Sequence, residues 1–235
     1  MEDLAMKKWE AVIFDMDGLM FDTERLSHEA WTRTGEENGF RYTMDITRKK
    51  LGLGKKGVRA LFSQYFGAGA PIEQWHRRSH EIKRELVNEQ GAGIIKPGLV
   101  SLLKYLAGQG IKTAIASSSD REMIDHYLKI TELPHYFDHI TSGEEVEKSK
   151  PDPEIFLKTC AALGIAPGEA LVLEDAYSGF EAARSGGIPV FFVEDLREPD
   201  AHIYEGADGV FKNLNEVQHF LENRRAPEYN KIKHL

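Results

Sequence analysis

The sequence predicts an α/β protein, a doubly wound parallel sheet with an inserted α-helical cap domain. From Pro97 onward, short apolar runs alternate with amphipathic stretches, as in sheets whose parallel strands are joined by helices. Between residues 22 and 96 no convincing strand is found, and the pattern is typical of helices ended by glycine. The 235 residues, 41% of them hydrophobic, are sufficient for one large or two modest domains.

The first strand, Ala11–Phe14, precedes the helical insert, and the other strands follow it. The insert is expected to contain helices Thr23–Asn38, Lys55–Phe66 and Pro71–Gln90. After it we expect helix Leu99–Gly108, strand Ile111–Ala116, helix Asp120–Ile130, strand His139–Thr141, helix Pro153–Leu163, strand Ala170–Leu173, helix Ser178–Ser185, strands Pro189–Val193 and Gly209–Phe211, and helix Leu214–Glu222. Because the first strand must join the later ones in one sheet, residues 1–21 and 98–235 are predicted to form the core and residues 22–97 the cap.

Charge and composition favour small-molecule chemistry. The net charge of −8 argues against binding to nucleic acid or to an anionic membrane, since both need a basic surface. The single cysteine, Cys160, excludes an intramolecular disulfide and is expected to be a buried bystander. The charged amino terminus does not resemble a signal peptide, and no apolar run is long enough to span a membrane. We therefore expect a cytoplasmic protein, and a monomer.

Two carboxylates, Asp15 and Asp17, follow the first strand. The chain must turn near Gly18, so both can converge on the crevice at the strand's carboxyl end, where open α/β sheets bind ligands. Such a pair of carboxylates is suited to binding a divalent cation and reacting with a phosphoryl group. An EF-hand calcium loop is excluded, because its sixth and twelfth positions require Gly and Glu, and this chain has Met20 and Leu26 there.

Polar residues also follow three later strands. Ser117 comes directly after Ile111–Ala116 and can bind a phosphate oxygen, whereas Ser119 is expected to cap the next helix, with Glu122 completing a capping box. Lys150 precedes a turn with two prolines that would aim its ammonium group, although a solvated surface lysine is the alternative. Glu174 and Asp175 end a buried strand, where acidic residues are costly unless they are paired or bound to metal.

Clustering four carboxylates at one edge requires a cation. Two like charges about 4 Å apart repel by roughly 4 kcal/mol at an effective dielectric constant of 20. Hard oxygen ligands together with a phosphate select Mg²⁺. The predicted metal site contains Asp15, Asp17, Glu174 and Asp175.

In this order, the motifs resemble those of the haloacid dehalogenase superfamily, and in particular its helical-cap phosphatases and β-phosphoglucomutase-like members. The resemblance runs from Asp15-x-Asp17-Gly18-x-x-x-Asp22-Thr23 through Ser117 and Lys150-Pro151 to Glu174-Asp175-x-x-x-Gly179. It implies a Rossmann-like core and the following roles: Asp15 as nucleophile, Asp17 as general acid and base, Ser117 and Lys150 as phosphoryl ligands, Asp175 as a magnesium ligand and Glu174 as a residue acting on the metal through water.

The expected activity is Mg²⁺-dependent hydrolysis of a small phosphorylated metabolite, a sugar phosphate or a nucleoside monophosphate, through an aspartyl phosphate. The alternative is a phosphomutase of the β-phosphoglucomutase type. That mutase has a histidine twelve residues after the nucleophile, where this chain has Ser27 followed by His28. Asp22–Leu26 and Gly54-Lys55-Lys56 also resemble pseudouridine-5′-phosphatase-type members, a weak indication of substrate.

Two signalling or binding alternatives are disfavoured. A response-regulator receiver carries its phosphoacceptor on a later strand and has no cap, and a catalytically inactive binding protein would have lost a catalytic position. The fingerprint Gly52-x-Gly54-x-x-Gly57 follows a polar run and not a strand, which argues against a dinucleotide site. Lys55 and Lys56 are candidate substrate-binding residues, with a solvated lysine pair as the alternative. His76 and His80 are expected to form a surface pair.

Overall fold

The computed structural model describes residues 9–51, 53 and 55–223, with only the backbone of residues 55 and 56. The chain divides into two compact units. One contains the segment that ends at Phe21 and the segment that begins at Ile95, and the other is Asp22–Ile94. The second boundary lies slightly before the one predicted at residue 97.

The first unit is built on a six-stranded sheet in the order β3-β2-β1-β4-β5-β6. Its strands are β1 (Ala11–Phe14), β2 (Lys112–Ala116), β3 (His139–Thr141), β4 (Ala170–Glu174), β5 (Val190–Val193) and β6 (Gly209–Phe211). All neighbouring strands are parallel, and Phe14 of β1 is in register with Ile115 of β2 and Leu173 of β4. This doubly wound sheet confirms the predicted fold class, and the strand order reverses direction between β1 and β4.

Helices connect the strands on both sides of the sheet. They are α5 (Leu99–Gly108), α6 (Arg121–Ile130), α7 (Glu154–Leu163), α8 (Tyr177–Ser185), α9 (Ala201–Gly206) and α10 (Leu214–Asn223). One core contains alternate strand residues such as Ile13 and Val172 with Phe156 of α7 and Phe180 of α8. Elsewhere the rings of Phe191, Phe211 and Phe220 pack together, linking β5 and β6 to α10. Sheet residues that are buried on both faces explain the nearly continuous apolar runs in the sequence.

The second unit is helical. It contains α1 (Thr23–Asn38), α2 (Met44–Lys50), α3 (Lys55–Phe66) and α4 (Ile72–Gln90). Its core is largely aromatic and includes Trp31, Tyr42, Phe62 and Trp75. Among the described residues, no helix is both long and apolar enough to cross a lipid bilayer.

Two short helices, α2 and α9, were not expected from the sequence. Each has too few residues to show a helical period, since α2 spans seven residues and α9 six. Both are stabilised by tertiary packing: Ile46 of α2 joins the aromatic core, and Ile203 of α9 is fully buried against the sheet. Helix α9 also begins with a local signal, because the Asp200 side chain accepts a hydrogen bond from the Ile203 N–H.

Candidate active site

The strand ends bring the predicted catalytic residues of the first unit to one edge of the sheet. Asp15 follows β1, Glu174 ends β4 and Ser117 follows β2. The ladder extends just beyond the strands, because the Asp15 N–H donates to Leu173 O at 3.0 Å and the Ser117 N–H donates to Thr141 O at 3.1 Å. Backbone hydrogen bonds therefore hold these residues where the strand order reverses, the position at which open α/β sheets bind ligands.

Lys150 is buried at the centre of this edge. Its Nζ lies 2.5 Å from Asp15 Oδ1 and 2.7 Å from Glu174 Oε1, and it donates to Ala116 O at 3.2 Å. The side chain is only 5% exposed. The turn that carries it is held at the start of α7, where Asp152 Oδ1 accepts from the Glu154 N–H. The alternative of a solvated surface lysine is therefore excluded.

Asp15 and Lys150 have altered pKa values. Burial raises the pKa of Asp15 to about 7; the adjacent Lys150 ammonium opposes this rise, whereas Glu174 and Asp17 add to it. Burial alone would lower the pKa of Lys150, but its contacts with Asp15 and Glu174 hold that pKa above the usual range. One ammonium group thus compensates the carboxylates incompletely, and an added cation would stabilise their ionised form.

Asp15, Glu174 and Asp175 form a group that fits a divalent cation. One carboxylate oxygen from each lies within 4.8 Å of the other two. Three hard oxygen donors suit Mg²⁺ better than a soft metal ion. Within the part of the chain that the structure describes, this group does not include the Asp17 carboxylate.

Glu174 is held tightly by the backbone that follows it. Its Oε2 accepts from the N–H groups of Asp175, at 2.9 Å, and Ala176, at 2.8 Å. Gly179 of α8 leaves room for this side chain, since a Cβ atom there would lie 1.6 Å from Glu174 Oε1. The glycine of the last motif therefore shapes the site by its lack of a side chain.

Asp17 is held by Ser119, a partner that the sequence analysis missed. The Ser119 hydroxyl donates to Asp17 Oδ2 at 2.7 Å. The prediction that Ser119 caps the following helix is wrong, because Asp120 is the cap and accepts from the Met123 N–H at 2.8 Å. The serine–glutamate spacing resembled a capping box, but the helix begins one residue later. Ser117 is buried, and its Oγ accepts from the Ser119 N–H.

A second missed pair, Lys96 and Asp195, lies close to the same edge. Lys96 Nζ is 2.6 Å from Asp195 Oδ1, and the two side chains are 16% and 3% exposed. The sequence does contain a signal for Asp195: Glu194-Asp195 follows the apolar strand β5, just as Glu174-Asp175 ends β4. Carboxyl ends of parallel neighbours meet at the same edge, so this repeat predicts another acidic group there.

The helical unit has its own polar cluster on α1 and α2. Lys50 Nζ donates to Ser27 Oγ at 2.8 Å, and His28 Nδ1 lies 2.8 Å from Thr47 Oγ1. Burial lowers the pKa of His28, and the nearby Lys50 lowers it further.

Three further sequence features lie in the helical unit: the lysine pair, the glycine fingerprint and the histidine pair. The side chains of Lys55 and Lys56, like Gly52 and Gly54 of the glycine fingerprint, lie outside the described residues. His80 is exposed and its ring lies next to that of His76, with centroids 4.4 Å apart and a 31° angle between the ring planes. The metal-binding group found among the described residues contains neither histidine.

Comparison with known proteins agrees with this geometry. The model of the haloacid dehalogenase-like hydrolase family matches residues 12–193. The chain is 34% identical to a phosphorylated carbohydrates phosphatase of Thermotoga maritima, over 86% of this chain and 94% of that protein. It is 30% identical to a probable pseudouridine-5′-phosphatase of Drosophila melanogaster, over 84% and 87% of the two chains.

Solved structures are similar to this fold. A putative β-phosphoglucomutase from Thermotoga maritima superposes with a TM-score of 0.73 and 33% identity, covering 91% of this chain and 98% of the other. The family model covers most of the chain, including Asp15, Lys150 and Glu174. The chain therefore belongs to the haloacid dehalogenase-like hydrolases.

Proposed function

We propose that the protein hydrolyses a small phosphorylated metabolite through a covalent phosphoryl group on Asp15, with Mg²⁺ as cofactor. Its family and its named relatives support a phosphoric monoester hydrolase. The observation that carries the proposal is the position of Lys150, whose ammonium joins Asp15 to Glu174 at the centre of the acidic edge. An ammonium beside a buried carboxylate can bind the oxygens of a phosphoryl group while that carboxylate attacks phosphorus.

In the first step, an Asp15 oxygen attacks phosphorus and the bond between phosphorus and the ester oxygen breaks. Asp17, protonated at the start, gives its proton to the departing alkoxide. Ser119 supports this assignment, because its hydroxyl holds one oxygen of Asp17 and so orients the carboxyl group.

In the second step, water attacks the phosphoryl group on Asp15. Asp17 accepts a proton from that water, the bond between phosphorus and the Asp15 oxygen breaks, and both phosphate and the Asp15 carboxylate are released. Each carboxyl group ends in the state in which it began, so the cycle is balanced in atoms and protons.

Binding of the phosphoryl group is assigned to Lys150 and Ser117. Lys150 supplies a fixed positive charge, and the buried Ser117 hydroxyl supplies a hydrogen bond at the end of the neighbouring strand. Asp15, Glu174 and Asp175 would hold the cation, Glu174 acting through water. When bound there, Mg²⁺ would neutralise charge on the phosphoryl oxygens and on the carboxylates.

The substrate class is inferred from the relatives and from charge. A sugar phosphate or a nucleoside monophosphate is supported by relatives named as phosphatases of phosphorylated carbohydrates and of pseudouridine 5′-phosphate. The net charge of −8 disfavours polyanionic partners such as nucleic acid. Lys55 and Lys56 remain proposed substrate contacts.

The test is phosphate release from a panel of sugar phosphates and nucleoside monophosphates, with Mg²⁺ and with EDTA. We expect Mg²⁺-dependent release from at least one member of the panel. Equal release in EDTA would contradict the metal assignment, and no release from any member would contradict the proposed substrate class.

A phosphomutase is the second candidate, because a structure named as a putative β-phosphoglucomutase is 33% identical. Ser27 stands where that reaction would use a histidine, and Nδ1 of the adjacent His28 is engaged with Thr47. Incubation with β-glucose 1-phosphate, Mg²⁺ and a trace of glucose 1,6-bisphosphate separates the two. Rapid formation of glucose 6-phosphate without phosphate release would replace the phosphatase by the mutase.

A further inference from the structure

Lys96 and Asp195 form a partly buried ion pair that the reaction described above does not use. Lys96 Nζ lies 2.6 Å from Asp195 Oδ1, and the Asp195 side chain is only 3% exposed. Pairs such as Arg33 with Glu29 are instead about half exposed on both sides. Removing two charges from water is costly, and one partner alone would be costlier still. Such a pair needs an explanation in terms of what surrounds it.

The pair is anchored at both ends. The Lys96 N–H donates to Met20 O at 2.9 Å, which attaches it to the turn that follows the catalytic aspartates. Asp195 lies in the segment after β5, and two contacts tie that segment to α8: Tyr177 Oη accepts from the Asp200 N–H, and Arg197 lies over the Tyr177 ring at 3.9 Å. These contacts hold the two chain segments that carry the pair.

Asp195 faces the same glycine as the metal-facing Asp175. Gly18 has a φ of +89° and lies in the turn between Asp17 and Met20. Met20 is the residue whose carbonyl oxygen accepts from the Lys96 N–H. A Cβ atom at Gly18 would lie 2.3 Å from Asp175 Oδ2 and 3.2 Å from Asp195 Oδ2. Both carboxylates therefore approach one point beside the Gly18 backbone. Asp195 is nonetheless not one of the three residues that form the described metal-binding group.

We propose that the Lys96–Asp195 pair tunes the affinity of the carboxylate group for its divalent cation. The inference rests on the proposed function, which provides that cation. Asp195 adds negative charge beside Asp175 and so favours the cation, and the Lys96 ammonium limits this effect. The Asp195 and Asp175 carboxylates approach the same point beside Gly18, and charges that close interact strongly where little water screens them. Asp195 is thus a positioning residue that acts through the field at Asp175.

The two halves of the pair should have opposite effects on metal binding. Asp195→Asn keeps the side-chain shape, removes the negative charge and leaves the Lys96 ammonium uncompensated. We expect the dissociation constant for Mg²⁺ to rise about tenfold, as for other residues that support metal ligands. Lys96→Met leaves the carboxylate in place, and this variant should bind Mg²⁺ at least as tightly as the wild type. The double variant removes both charges and should recover most of the loss caused by Asp195→Asn.

The measurement is calorimetric titration of the metal-free full chain with MgCl₂, without substrate. Glu194→Gln is the matched control: it makes the same change of charge one residue away, at a side chain whose neighbours are Lys212, Glu216 and Glu198. The Mg²⁺ dissociation constant of this variant should stay within about twofold of the wild-type value, since the Glu194 charge lies among other charged groups and is screened by solvent. Thermal melting of each variant reports whether it is folded.

A purely structural pair predicts different results. If Lys96→Met weakens Mg²⁺ binding as much as Asp195→Asn does, or if the double variant is no better than Asp195→Asn, the proposal is wrong. An unchanged affinity in folded Asp195→Asn would also overturn it. If Asp195→Asn does not fold, Lys96→Met alone decides: Mg²⁺ binding weaker than that of the wild type overturns the proposal, and binding at least as tight supports it.

Failure of the proposed function would have its own signature. Wild-type protein that takes up no Mg²⁺, or an Asp175→Asn variant that binds it normally, would remove the metal site and the inference with it. Normal wild-type binding that is lost in Asp175→Asn but unaffected by Asp195→Asn would remove the inference alone.

Discussion

Asp15 is the residue on which the proposed chemistry depends. Asp15→Asn should abolish turnover with the fold intact, because an amide keeps the shape of the side chain but does not form the acyl phosphate. Phosphate release and a thermal melt check both statements. Asp125→Asn, an exposed position paired with Arg121, is the control and should retain wild-type rates. Substantial Mg²⁺-dependent activity in Asp15→Asn would remove Asp15 as nucleophile.

Asp17 should reveal its role through the leaving group. Asp17→Asn is expected to slow hydrolysis of an alkyl phosphate by roughly 10²–10⁴, the usual range for general acid–base catalysis. An aryl phosphate, whose leaving group needs less help from a proton, should lose less. Comparing the two substrates in wild type and variant provides the measurement. Equal losses would contradict the acid role.

Lys150 should matter for both rate and stability, because it is buried between two carboxylates. Lys150→Ala leaves Asp15 and Glu174 without their ammonium, a change that typically costs about 3–5 kcal/mol of unfolding free energy. Its turnover should also fall at least about 100-fold through lost charge stabilisation. Urea unfolding and steady-state kinetics measure the two effects. Lys148→Ala, at a 72% exposed side chain, is the matched control, and wild-type behaviour from both variants would contradict the proposed role.

At the scale of elements, the join between β4 and α8 positions Glu174. Gly179→Ala would place a methyl group 1.6 Å from Glu174 Oε1, so Glu174 must move away from Lys150 and from the backbone that holds it. We expect a loss of about 1–3 kcal/mol in unfolding free energy, the usual cost of overpacking. A reduced turnover should accompany it.

The control for this change is a glycine in another helix of the same unit. Gly108→Ala in α5 would meet no heavy atom within 4 Å and should leave stability unchanged or slightly improved. Denaturant titration and phosphate release compare the two variants. If Gly179→Ala is as stable and active as Gly108→Ala, the close packing of Glu174 has no functional importance.

At the scale of the whole molecule, the proposed cation should act as a stabilising ligand. An ion that binds the native carboxylate group and not the unfolded chain stabilises by about 2.7 kcal/mol at a concentration 100 times its dissociation constant. For a chain of this size, each kcal/mol corresponds to roughly 2–4 °C in the melting midpoint. We therefore expect MgCl₂ to raise the midpoint by several degrees relative to EDTA.

Asp175→Asn provides the control for that stabilisation, because it removes one of the three grouped carboxylates. The shift between MgCl₂ and EDTA should be absent in this variant. A shift of the wild-type size would show that Mg²⁺ stabilises the protein at another place.

The fold class and the family followed from local information in the sequence. Apolar runs such as Ala11–Phe14 predicted strands because residues buried on both faces of a sheet are almost all apolar. Asp15 and Glu174 lie at strand ends, Lys150 precedes a turn with two prolines, and the order of these motifs resembles that of the family, so the grouping of the three residues at one edge was expected. Their catalytic roles stay predictions. The short helices α2 and α9 were missed, because they are too short to show a helical hydrophobic period and are stabilised by tertiary packing.

The contacts between distant residues were decided only by the tertiary structure. Ser119 holds Asp17 across 102 residues, and Lys96 meets Asp195 across 99. A sequence pattern records what each segment prefers by itself, and Ser119 alone is as suitable for a helix cap as for a hydrogen bond to a carboxylate. The sheet places the segments that follow β1 and β2 side by side, and Ser119 therefore lies within hydrogen-bonding distance of Asp17. The sequence by itself determined which strands form and which charged residues end them, and tertiary packing decided which of those residues touch.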